Sequence, residues 1–152
     1  MNTPRRGGLG DITRGKTMPT LTAAAMGLAM MLGAASSASA DCDKTIRLLA
    51  SPAGKVIAAD GRVRVRAKTV SPTFVKQNYV LEMSALVPNG TTFMVFNNGL
   101  PAGTVTITFG VGRLALDNEA GHVLPAGTDP VCSITTVIVT DAAGNTILSG
   151  TF

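Results

Sequence analysis

The stretch Arg62–Lys68, RVRVRAK, alternates a cation with a small apolar residue without a break. Successive side chains of a strand leave opposite faces, so an extended backbone sorts this pattern, whereas a helix would scatter it around its circumference. Val63, Val65 and Ala67 are then expected to face a core, and Arg62, Arg64, Arg66 and Lys68 to face water. A period of two returns, more weakly, in VKQNYVLEM (Val75–Met83), TFMVFN (Thr92–Asn97), TVTITF (Thr104–Phe109) and RLALD (Arg113–Asp117). VCSITTVIVT (Val131–Thr140) and NTILSGTF (Asn145–Phe152) complete the series. No stretch after residue 40 carries a convincing 3.6-residue apolar period. About seven or eight short strands separated by Gly and Asn turns predict an all-β domain, built as an antiparallel β-sandwich.

The turns have their own grammar. LPAGT occurs at Leu100–Thr104 and at Leu124–Thr128, with looser copies SPAGK at Ser51–Lys55 and VPNGT at Val87–Thr91. Proline presets φ and glycine is favoured at the fourth position of a type I turn, so each copy reads as an entry turn to a strand. The order Gly-Thr, and an ending in ILSGTF, exclude the cell-wall sorting tag that LPAGT superficially suggests. KVIAA followed by Asp60-Gly61 predicts a hairpin leading into Arg62–Lys68, and Asn98-Gly99 and DAAGN (Asp141–Asn145) predict two more.

VIVTDAAGNTILSG (Val137–Gly150) resembles the last hairpin of bacterial immunoglobulin-like modules. The stretch LVPNGTTFMVFNNGLPAGTVTITFGVGRLALD (Leu86–Asp117) is similar to a pattern in small exported bacterial proteins of unassigned function. The likeness covers residues 80–152 and implies an immunoglobulin-like fold. It implies no activity.

The first forty residues read as a cleaved secretory signal peptide. Arg5, Arg6, Arg14 and Lys16 form a basic head, LTAAAMGLAMMLGAA (Leu21–Ala35) an apolar run too short for a membrane span, and Ala38-Ser39-Ala40 a small-residue cleavage site. Translation from Met18 would discard that head. Asp41 in place of a small residue argues against a lipid anchor on Cys42. Residues 41–152 are then one domain, exported to the periplasm or outside the cell. Cys42 and Cys132, the two cysteines of the chain, are expected to form a disulfide in such a compartment.

Export also changes the charge account. The chain has 13 basic and 9 acidic residues; the signal holds four and one of them, leaving nine against eight. With one tyrosine and no tryptophan, the residues offer no basic groove with stacking aromatics, and nucleic acid is not an expected partner. Catalysis would have to recruit His122, the one histidine, without a Gly-x-Ser-x-Gly elbow or a free thiol, so the domain reads as a non-enzymatic structural or interaction module for a protein or surface-glycan partner, free of cofactors. Asp117, Glu119, His122 and Asp129 form the best candidate metal cluster, although the spacing departs from an EF-hand loop, and a solvated hairpin tip needs the same residues. Arg62, Arg64, Arg66 and Lys68 form the best candidate binding site, for an anionic surface glycan or lipopolysaccharide; alternatively they are the wet face of an antiparallel strand, guarding against edge pairing if that strand lies at an edge. A third possibility is a strand-pairing subunit or homo-oligomer, because Thr91–Phe96, Thr104–Phe109 and Asn145–Phe152 are charge-free and β-prone.

Overall fold

The computed structural model describes residues 41–152. The expected signal segment lies outside the described residues. Eight antiparallel strands make an all-β fold: β1 (Cys42–Ala50), β2 (Asp60–Ser71), β3 (Phe74–Ser84), β4 (Thr92–Asn97), β5 (Leu100–Thr106), β6 (Val111–Asp117), β7 (Thr136–Thr140) and β8 (Thr146–Thr151). Their order in the sheet is β5-β4-β7-β8-β1-β2-β3-β6. β1 is the joint: Cys42–Leu48 pair with β2, while Leu49 and Ala50 pair with β8. The sheet folds about this joint until its two end strands approach, so it is nearly closed.

Alternation decides what lies inside. Val63, Val65 and Ala67 of β2 are buried, as the sequence requires, and meet Tyr79, Leu81 and Met83 of β3. From the other half come Phe93, Val95, Val105, Val137, Val139 and Leu148. At about 25 cal/mol per Å² of apolar surface, burial of such side chains is the dominant stabilising term. One polar chain crosses this core: the Tyr79 hydroxyl donates to Asn97 Oδ1 at 3.1 Å, and Asn97 Nδ2 donates to Thr128 Oγ1 at 3.1 Å. All three residues are fully buried, and burial pushes the Tyr79 hydroxyl pKa up despite the bond to Asn97.

The four proline–glycine copies divide. VPNGT is a turn, closed by Thr91 N–H donating to the Pro88 carbonyl at 3.2 Å, and it leads into β4. The second LPAGT is also a turn, one residue later than expected, with Thr128 N–H on the Pro125 carbonyl at 2.7 Å. It delivers Thr128 to the buried polar chain. The first LPAGT is not a turn but part of β5, because Asn98-Gly99 has already reversed the chain with both φ positive (50° and 79°). SPAGK departs furthest. Ser51 caps a short helix, α1 (Pro52–Val56), with its hydroxyl accepting from Gly54 N–H at 3.0 Å and Pro52 in the first turn. The KVIAA strand and the Asp60-Gly61 turn are therefore absent, and Asp60 and Gly61 begin β2.

β5 and β6 join through the Phe109-Gly110 reversal, where Thr108 and Val111 exchange backbone hydrogen bonds at 2.8 and 3.2 Å. Beyond that bridge the two strands no longer pair with each other, β5 bonding to β4 and β6 to β3. They stay close because Gly112 has no side chain: a Cβ there would run into Val105 and stand 2.9 Å from Ile107 Cδ1. We expect Gly112→Val to cost about 1–3 kcal/mol through overpacking. Tyr79→Phe should cost a similar ~1–3 kcal/mol by leaving Asn97 Oδ1 buried without a donor. Thermal unfolding followed by circular dichroism checks both, and an unchanged midpoint in either variant refutes the corresponding contact.

Candidate functional site

The outer face of β1, β2, β3 and β6 carries nearly all the charge of the strands. Register places Arg47, Arg62, Glu82 and Arg113 in one row across the four strands. The next row is Thr45, Arg64, Val80 and Ala115, and the one after it Asp43, Arg66, Asn78 and Asp117. Lys68 lies opposite Lys76 one row further on. Arg62, Arg64, Arg66 and Lys68 thus stand on one exposed face, as expected, but on an internal strand rather than at an edge.

Neighbouring strands bring carboxylates to most of these cations. Asp43 receives Arg64 Nε and Nη2 at 2.9 and 2.8 Å, and Arg66 Nε and Nη2 at 3.1 and 2.7 Å. Arg62 Nη2 lies 2.6 Å from Glu82, with Arg113 on the other oxygen at 3.7 Å. Arg47 donates through both Nε and Nη2 to Asp60, and Lys76 meets Glu119 at 2.7 Å. The two guanidiniums on Asp43 hold its carboxyl well below the usual carboxylate range, chiefly by hydrogen bonds from Arg64 and then Arg66. Asp41 is lowered first by the Thr69 N–H it accepts, then by the Thr69 hydroxyl, with Lys68 adding a smaller charge effect.

Two hollows run over this face. One, of about 980 Å³, is bounded by Arg47, Asp60, Arg62, Glu82, Val111 and Arg113, with Thr106 and Thr108 at its rim. The other, of about 530 Å³, lies between Arg62, Arg64 and Arg66 on one side and Lys76, Asn78, Val80 and Arg113 on the other. They share Thr45, Arg62, Glu82 and Arg113 and so form one continuous groove. Six cations and three carboxylates line it; counting Asp43 as a fourth leaves an excess of two.

The other candidates scatter. Asp117 and His122 are in contact at 3.2 Å, but Glu119 turns to Lys76, and Asp129 accepts from Gln77 Nε2 at 2.8 Å. Among the described residues no three acidic, histidine or cysteine side chains converge as metal ligands. Asp117 is held ionised below its ordinary value first by the Glu119 N–H and then by His122. Cys42 and Cys132 form the expected disulfide, Cys132 lying in a single 3₁₀ turn (Val131–Ser133) ahead of β7 rather than within a strand. Of the three charge-free segments, β4 and β8 each lie between two other strands, which rules out Asn145–Phe152 as an edge. β5 does end the sheet, but Pro101, a register shift opposite Val95–Phe96 and the link to β6 interrupt it. No helix among the described residues is long and apolar enough to cross a membrane.

No known family model matches this sequence, and no curated protein aligns with it significantly. Because Asp43 has a depressed pKa in the folded chain, the stability it contributes is complete above the ordinary carboxylate value of 3.8 and is lost as pH falls below it. The drop in unfolding midpoint caused by Asp43→Asn should therefore be smaller at pH 2, where this carboxyl is protonated in the unfolded chain, than at pH 7. A penalty for the variant that grows as pH falls contradicts the pairing.

Proposed function

We propose that the chain is an exported, non-enzymatic interaction module with an immunoglobulin-like β-sandwich fold, which docks on acidic polymers of a cell surface through the outer face of β1, β2, β3 and β6. The observation that carries this reading is the placement of charge. Residues 41–152 have a net charge of only +1, nine basic against eight acidic, yet the groove alone holds an excess of two. The rest of the domain is therefore slightly acidic. A hollow with a surplus of one sign concentrates counter-ions and steers a charged partner toward itself.

Several features support the remainder. The basic head, apolar run and small-residue site of the first forty residues suit an export signal, and a disulfide persists in oxidising compartments. The strands fall into two groups of four, β6-β3-β2-β1 and β8-β7-β4-β5, enclosing a common apolar core in the manner of a sandwich. His122, the one histidine, stands exposed against Asp117 at 3.2 Å.

Replacing Arg62, Arg64 and Arg66 together by glutamate should abolish retention on immobilised heparin or lipopolysaccharide at low salt. Asp43→Asn gives the opposite test, since it releases both guanidiniums and should strengthen retention. Asp141→Asn makes the same change in net charge on the β7–β8 turn and should have little effect. Equal retention of wild type and triple variant, or equal gains from Asp43→Asn and Asp141→Asn, would end the proposal.

A further inference from the structure

Resting on that reading, we propose that the ligand is an extended acidic polysaccharide lying along β2 and β3, and that the groove does not bind compact anions such as free sulfate or phosphate. The reason is the way the cations are held. Arg64 and Arg66 already share Asp43, Arg62 holds Glu82, and Lys76 holds Glu119, at distances of 2.6–2.8 Å for the closest contacts. A small anion can reach a guanidinium fully only by displacing a carboxylate of similar charge, which gains little. No second set of donors waits in a buried pocket, because these side chains are half exposed, Arg64 at 52% and Arg66 at 55%.

A long polyanion meets different terms. It can lie over the ion pairs and interact with the residual positive potential at many points, each weak in water, and the sum grows with the number engaged together. Geometry supplies the lane. Arg62, Arg64, Arg66 and Lys68 recur every second residue of β2, a repeat of about 6.7 Å, so the row extends about 20 Å. Next to β2, Asn78 and Val80 of β3 form the floor with Lys76 in line on the same strand, and Arg113 of β6 stands beyond them. That floor lacks an aromatic surface on which a base could stack. The one tyrosine, Tyr79, is fully buried, which separates this lane from a single-strand nucleic-acid channel.

The test is a length series. Size-fractionated heparin fragments, inorganic sulfate and single-stranded DNA would be titrated against the purified protein by calorimetry at low and at physiological salt. Fragments exceeding about 20 Å should bind at least roughly 10-fold more tightly than the shortest disaccharide, by simultaneous engagement. The disaccharide should be no better than inorganic sulfate, and Arg64→Gln should weaken the long fragments alone. If short fragments or sulfate bind as tightly as long ones, the extended-ligand inference fails while the anionic docking face stands. If DNA binds more tightly than heparin of equal length, the polysaccharide assignment fails. If no polyanion of any length binds, both this inference and the docking face fall.

Discussion

β2 cannot slide. It is laddered to β1 over seven residue pairs and to β3 over eleven, and its residues alternate between the core and water. A slip of one residue would carry Arg62, Arg64 and Arg66 into an apolar interior and expel Val63 and Val65. Burying an unpaired guanidinium costs several kcal/mol, so burying three would match or exceed the net stability of a domain of this size. Everything on the charged face follows from this fixed register. In the observed register Asp43 stands opposite Arg66 and Glu82 opposite Arg62; alternation forbids a slip of one residue, and a slip of two would keep the valines inside but break these pairings.

The other half of the molecule solves its folding problem without charge. β4, β5, β7 and β8 contain no acidic or basic residue, and their outward positions are filled largely by threonine and serine. The sorting force there is weaker, since an outward threonine loses less than an arginine if misplaced. Alignment of this half against β3 is helped by the polar chain Tyr79–Asn97–Thr128, whose groups find partners only when the two halves meet correctly. Among the described residues no buried side-chain nitrogen or oxygen is left without a partner. A single satisfied network in an apolar core can thus select one packing among several of similar hydrophobic energy.

Strand identity was legible because alternation is a local property. The extents of β3 and β4 follow directly from VKQNYVLEM and TFMVFN, and Asn98-Gly99 marks its turn through the positive φ that a type I′ reversal demands. Errors arose where a local signal had two solutions. SPAGKV suits a serine-capped helix as well as a turn, and the decision came from a distant contact: Gly54 sits against the Ile147 carbonyl, where no Cβ could fit. The candidate site was half legible. Arg62, Arg64, Arg66 and Lys68 could be assigned to one face from spacing alone. Arg47, Lys76, Arg113 and the carboxylates Asp43 and Glu82 could not be joined to them, because cross-strand neighbours depend on sheet order, which period two does not encode.

The carboxylates on the charged face do more than cancel charge. An exposed arginine is a mobile side chain, and immobilising it on binding costs conformational entropy. Asp43 holds Arg64 and Arg66 in forked contacts before any ligand arrives, so part of that ordering is already done. The same contacts lower the peak of the local field and spread what remains along the groove. On the proposed reading, a face so arranged would favour a partner that is long, flexible and repetitively charged over one that is small and intense. It also limits indiscriminate attraction, because beyond about 8 Å at physiological salt each paired arginine is screened and nearly neutral. Selectivity for extended ligands would then come from the anions among the cations, rather than from the number of cations alone.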